Sequence, residues 1–202
     1  NLIRTTDSLG NVYSYEYDTQ GNCSSYKDPM GNTYTYGYDE FGRRVSETDP
    51  LGNVTTCEYD YYGNVIRSVD AKGNVTSYTY DANGNMTQQT DALGYVSKVS
   101  YDNMDRPLEI QNRWVDEENK IDKWQSTIYR YDSLGRVIEE INAENAKDKD
   151  KEDVKAVRFE YDEIGNQTKK TEEDGSETSY RYNQLNLLRE ICYEDGEKVT
   201  FT

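Results

Sequence analysis

The sequence predicts an all-β protein: an antiparallel up-and-down meander of short hairpin repeats that forms a curved, coiling sheet. Three observations carry this prediction. Tyr-Asp pairs end at Asp18, Asp39, Asp60, Asp81 and Asp102, a repeat of 21 residues, and resume at Asp132 and Asp162 after gaps of 30. A second family of anchors, Asp7, Asp28, Asp49, Asp70 and Asp91, runs between them at the same spacing. Thirteen of the 14 glycines occupy the slot three residues after an anchor position, Gly37 being the exception. A chain repeated in this way is held by neighbouring units rather than by one deep core.

Each element has its own justification. Residues 1–6 read as a short strand leading into the Asp7 turn. Asp at the first position and Gly at the fourth signal a type I turn, and Pro29 and Pro50 fall on the favoured second position. Gly in the left-handed conformation joins such a turn to a bulged hairpin. Between turns, Tyr stands one and often three residues before Asp, as in Tyr15 and Tyr17, Tyr36 and Tyr38, Tyr78 and Tyr80, Tyr129 and Tyr131, and Tyr180 and Tyr182. Cys57, Val99 and Phe159 take the outer slot elsewhere, and the interleaved positions are polar or small. Period two with one aromatic face is a half-covered antiparallel strand. No stretch shows a helical period, and the spacing gives about 18 strands. At ~4.8 Å per strand they would span roughly 80 Å if flat, and twisted sheets of more than ~10 strands curl, hence the expected curvature.

Residues 1–202 read as a single repeat-array fragment with two nine-residue insertions. The first, at about 113–125, has a polar Glu117–Lys120 centre between apolar flanks. It reads as an extended hairpin with Trp114 and Trp124 at or near a cross-strand pair. The second, about 143–153, carries eight charges and no aromatic residue, and reads as a charged loop. The final segment, Glu197 to Thr202, stops before another Tyr-Asp pair, so the sequence reads as a piece of a longer array.

Composition narrows the function. Lys and Arg number 23 against 39 Asp and Glu, a net charge of −16, and there is no histidine. Without His there is no Ser-His or Cys-His pair and no imidazole zinc site. Nucleic-acid binding by counterion release needs an excess of Lys and Arg, so no nucleic-acid partner is expected. No long apolar run exists for membrane insertion. Only 34% of residues are apolar, yet 20 are tyrosines, whose rings must be stacked or covered. Three widely spaced cysteines, Cys23, Cys57 and Cys192, are not a disulfide framework.

Asp148 to Asp153 opens like an EF-hand loop, but it lacks Gly at position six, and Phe159 stands where position twelve needs Glu. The identically recurring aspartates read as turn structure. The sequence therefore predicts no catalytic residue, no cofactor, no metal site and no enzyme.

The units Tyr15-Glu-Tyr-Asp-Thr-Gln-Gly-Asn22, Tyr36-Gly-Tyr-Asp-Glu-Phe-Gly-Arg43 and Tyr129-Arg-Tyr-Asp-Ser-Leu-Gly-Arg136 resemble the YD repeat of RHS-repeat proteins. The resemblance covers nearly the whole chain. It implies a secreted or cell-surface location and a spiral of repeats that forms a hollow β-shell. In bacterial members, including wall-associated polymorphic toxins, the shell encloses a variable C-terminal toxin domain. In the animal teneurins it supports adhesion, and carbohydrate binding is also attributed to such repeats. The family's cleaving, shell-closing segment and its toxin domain are absent here, so the resemblance implies a structural piece of wall.

The expected partners are the remainder of the same array, an enclosed toxin domain, and glycans. Self-association through the end strands near residues 1–6 and 197–202 is expected too, because cutting an array exposes unpaired edges. The alternative function is a carbohydrate-binding or adhesion module that uses exposed aromatics, with Trp114 and Trp124 as the candidate ligand or partner contacts.

Overall fold

The computed structural model describes residues 2–116, 121–142 and 155–201, in which every regular element is a strand. The chain divides into two compact units, Asn1–Val96 and Ser97–Thr202, with the boundary after the first residue of β10. The first holds β1 (Arg4–Thr6), β2 (Val12–Tyr17), β3 (Cys23–Lys27), β4 (Thr33–Tyr38), β5 (Arg44–Thr48), β6 (Val54–Tyr59), β7 (Val65–Val69), β8 (Val75–Tyr80) and β9 (Met86–Thr90). The second holds β10 (Val96–Tyr101), β11 (Pro107–Asp116), β12 (Ile121–Tyr131), β13 (Val137–Ile141), β14 (Val157–Tyr161), β15 (Gln167–Thr171), β16 (Glu177–Tyr182), β17 (Leu188–Tyr193) and β18 (Lys198–Thr200). Within each unit every strand pairs antiparallel with the next, so the meander expected from the sequence is present.

The turns follow one rule. In fifteen of them the N–H of the fourth residue donates to the carbonyl of the first, as Gly52 does to Asp49 at 3.0 Å. The fourth residue then has positive φ, +85° at Gly52, which a Cβ disfavours. All thirteen glycines of the repeat slot have positive φ, and Asp105 and Asn186 hold the same place at φ 61° and 58°. Asp and Asn tolerate this region best among residues with a side chain, which is why these two units survive without glycine.

The two kinds of hairpin differ in one respect. Those that close over a Tyr-Asp turn shift register just before the tyrosine. Glu16 faces Ser25 while Tyr17 faces Cys23, which leaves Ser24 as the extra residue of a β-bulge. The same shift recurs at Tyr38, Tyr59, Tyr80, Tyr101, Tyr131, Tyr161 and Tyr182. The alternate hairpins pair in unbroken register.

Burial is shallow. On β8 the rings of Tyr78 and Tyr80 are half-buried while Ser77 and Thr79 are exposed. On β14 Val157, Phe159 and Tyr161 are half-buried while Arg158 and Glu160 are exposed. Among the described residues only Ile141, Ala156 and Glu139 are buried, with Ile128 packed against the first two. Cohesion therefore comes from ladder hydrogen bonds and cross-strand pairs.

Candidate functional site

The repeated groups are built from the turn outward. Asp49 Oδ1 accepts the N–H of Leu51 at 2.8 Å and of Asn53 at 2.9 Å, while Oδ2 accepts Asn53 Nδ2 at 2.7 Å. Asp132 makes the same two backbone bonds and takes Arg136 Nε at 2.6 Å in place of the amide. These donors hold the carboxyls below their ordinary range. For Asp49 the Asn53 amide is the largest cause, and for Asp132 it is the Arg136 backbone N–H. A carboxylate spent in this way is a structural acceptor rather than a general acid or base. Glu172 and Tyr193 replace the first-position Asp in two turns, and there Asp174 and Asp195, two residues on, accept the N–H of Ser176 and Glu197.

In six repeats the tyrosine that precedes the turn ties its repeat to the preceding one. Its hydroxyl donates to the carbonyl of the first strand residue after the previous Tyr-Asp turn. Tyr38 reaches Cys23 at 2.8 Å, Tyr59 reaches Arg44 at 2.8 Å and Tyr80 reaches Val65 at 2.8 Å. In the second unit Tyr131 reaches Pro107 at 2.7 Å, Tyr161 reaches Val137 at 2.8 Å and Tyr182 reaches Gln167 at 3.0 Å. An arginine after the positive-φ residue adds a second tie. Arg43 lies 4.8 Å from the Tyr59 ring centroid and donates to the Asp60 carbonyl at 2.7 Å. Arg136 does the same to Tyr161 and Asp162, at 4.7 and 2.9 Å, and Arg106 lies 4.5 Å from the Tyr131 ring. Desolvation leads the upward shift of the phenol pKa at Tyr38, Tyr80, Tyr131 and Tyr182.

Two irregularities stand out on the tyrosine face. Tyr13, Tyr15, Tyr26 and Tyr34 cluster on β2 to β4 with ring centroids 5.4 to 6.4 Å apart. Where Cys57 faces Ser68, two small residues open a cavity of about 320 Å³, lined by Arg44, Glu47, Thr55, Cys57, Ser68 and Asp70. The Cys57 thiol is half-exposed rather than buried, and it donates to the Arg44 carbonyl at 3.0 Å. All three cysteines are free thiols, and Cys23 and Cys57 stand on β3 and β6. Among the described residues no group of three or more Cys, Asp and Glu is spaced to hold a metal ion.

The two tryptophans lie on the long β11 and β12 strands of 10 and 11 residues. Trp124 faces Arg113 in register and Trp114 faces Lys123, so the two stand one register step apart rather than opposite each other. Trp124 is 45% exposed, with the Lys98 ammonium 4.7 Å from its ring centroid. Arg113 beside it forms a bidentate pair with Asp122, at 2.8 and 2.7 Å. The charged second insertion, 143–153, lies outside the described residues, as does the Glu117–Lys120 centre of the first.

The hydroxyl and guanidinium ties were not foreseen from the sequence. They follow from register, and the only sequence signal was the recurrence of Tyr, rather than Phe, before Asp.

A series of like hairpins, with phenols tying six of the repeats to the one before, defines a β-repeat protein whose repeated groups are structural. The RHS Repeat family matches residues 1–29, 17–54, 59–96, 80–113 and 161–198, well over half of the sequence, and the chain belongs to that family. No curated protein matches it. Solved structures agree in fold. The crystal structure of TcdB2-TccC3-Cdc42 contains a chain 16% identical, at TM-score 0.71, matched over 100% of this chain and 12% of that one. The crystal structure of TcdB2-TccC3 matches at 16% identity and TM-score 0.68, over 94% of this chain and 12% of that one. The Photorhabdus luminescens Tc holotoxin pore with a TccC3 mutation matches at 15% identity and TM-score 0.68, again over 94% and 12%. This chain thus spans about an eighth of the length of those proteins.

Proposed function

We propose that this chain is a structural segment of the shell wall of a large secreted or cell-surface RHS-repeat protein, and that the parent encloses or presents a C-terminal toxin domain. The observation that carries the reading is the tyrosine tie. Six repeats spend their most distinctive side chain on joining the neighbour before, which is what a continuous wall requires. The fold likeness to TcdB2-TccC3 chains supports the toxin part of the reading. No catalytic step and no cofactor is assigned to these residues.

Limited trypsin digestion of the full parent protein, mapped by mass spectrometry, tests the reading. The segment that follows the array should resist cleavage while the wall is folded, and should become cleavable once Tyr38→Ala and Tyr80→Ala open it. Equal cleavage rates in the two proteins would overturn the enclosing role.

The exposure of Trp124 favours a second reading, a carbohydrate-binding or adhesion contact that uses this ring. A glycan array probed with this chain, with Trp124→Ala as the comparison, tests it. Binding that is lost in the variant supports the contact, and no binding rejects it.

A further inference from the structure

We propose that the cavity on the tyrosine face between β5, β6 and β7 is a seat for one aromatic ring from outside the chain, of about the size of a tyrosine side chain and neutral or cationic. The repeat itself supplies the comparison. In each bulged hairpin, the residue three before the turn anchor faces a residue on the next strand. Tyr36 faces Glu47 in the bulged hairpin before the cavity, and Tyr78 faces Gln89 in the one after it. Seven of the eight such pairs hold at least one Tyr, Phe or Ile. The eighth is Cys57 facing Ser68, where both side chains are short.

The gap also extends along the strand. Thr55 stands two residues back on the same face of β6, where β2 and β4 carry Tyr13 and Tyr34. The space left is the cavity of about 320 Å³, to which Val45 and Val69 add apolar wall. An apolar space of ~150 Å³ is enough to hold benzene, and sites for drug-sized ligands begin at roughly 300 Å³. This cavity therefore suits one ring with a short tail rather than an oligosaccharide.

Charge selects the tail. Arg44 on the cavity wall pairs with Glu47 at 3.2 Å and lies 5.3 Å from the Tyr36 ring centroid, so a guanidinium that already meets one ring is at hand for a second. Asp70 lines the cavity too, which makes two carboxylates to one guanidinium. In a chain of net charge −16, such a wall repels an anionic tail. The reading stands on register within the first unit and does not depend on an enclosed toxin domain.

Cys57 reports on the site, because its half-exposed thiol lines the cavity and those of Cys23 and Cys192 do not. Alkylation of the intact chain by iodoacetamide, followed at each cysteine by peptide mass spectrometry, tests the proposal with p-cresol as the probe. For so small a ligand the expected dissociation constant is on the order of 1 mM. At ~10 mM p-cresol the Cys57 rate should fall about tenfold while the other two rates hold. Tyramine should protect at least as well, and p-hydroxyphenylacetate clearly less. A glycine-flanked tyrosine peptide separates the two sources of such a ring: protection by the peptide as well assigns the seat to a partner's side chain, and protection by p-cresol alone assigns it to a free ligand. Two variants fill the gap from within: Cys57→Tyr restores the ring of the neighbouring hairpins, and Ser68→Gln copies Gln89. Saturation-transfer NMR should detect p-cresol on the unsubstituted chain and on neither variant. An unchanged Cys57 rate overturns the proposal, as does equal slowing of all three thiols or p-cresol binding that survives in both variants. Equal protection by p-hydroxyphenylacetate overturns the charge selection.

Discussion

Tyr80 shows what a single residue of the repeat contributes. Its ring is half-buried on the covered face and its hydroxyl donates to Val65, whereas the neighbouring Thr79 hydroxyl meets Thr87 at 2.9 Å on the exposed face. Tyr80→Ala should cost about 2–3 kcal/mol, less than a fully buried aromatic because the ring is only partly covered. Tyr80→Phe isolates the hydroxyl and should cost about 1 kcal/mol. Thr79→Ala should cost well under ~1 kcal/mol. Denaturant midpoints of the three variants check the order, and equal costs at positions 79 and 80 would invert the assignment of faces. Gly52 gives a second residue-level test. A Cβ there meets nothing within 4 Å, so Gly52→Ala isolates the positive φ and should cost ~1–2 kcal/mol. Asp105→Gly, at an equivalent φ of 61°, should gain about 0.5 kcal/mol by removing the same strain.

Between strands, the face opposite the tyrosine rings is joined by charge. Arg130 on β12 and Arg158 on β14 both grip Glu139 on β13, at 2.6 and 3.0 Å, and Glu139 is 7% exposed. Glu58 on β6 and Arg67 on β7 make the corresponding pair in the open, at 2.7 Å. Removing Glu139 leaves two like charges on either side of the gap, so Glu139→Ala should cost ~2–3 kcal/mol. Glu58→Ala should cost well under ~1 kcal/mol. Thermal midpoints of both variants at low and high salt check this, and equal losses would mean that burial adds nothing at position 139. Much at this scale was legible in the sequence. Asp and Gly marked the turns because only certain residues suit those dihedral angles, and alternating Tyr marked the strands. The bulge before Tyr17 was not legible, since it depends on which residue faces which across two strands. The offset between Trp114 and Trp124 is likewise a matter of register, which one misplaced residue reverses.

Across the whole chain, two electrostatic effects oppose each other as pH falls. The net charge of −16 repels itself at neutral pH, and protonation relieves that repulsion. Against it stand the turn aspartates, among them Asp7, Asp18, Asp28, Asp49, Asp60 and Asp70, whose pKa values are lowered chiefly by the Asn amide four residues on. A lowered folded-state pKa gives stability that is complete above the unfolded value of ~3.9 and is lost as pH falls through the folded values. The thermal midpoint should therefore hold or rise from pH ~7 to ~5 and drop below ~4. The alkaline side has the opposite sign. Tyr38, Tyr80, Tyr131 and Tyr182 have raised pKa values, led by desolvation, so their contribution is complete below ~10 and lost as pH rises through the folded values. Ionisation also removes the proton that each phenol donates to the previous repeat. Tyrosinate absorbance and strand circular dichroism, followed together, should show these rings titrating above ~10 and the sheet failing with them. If they titrate near ~10 while the sheet persists, the hydroxyl ties contribute no stability, and the sheet is held by backbone ladders and ring packing alone.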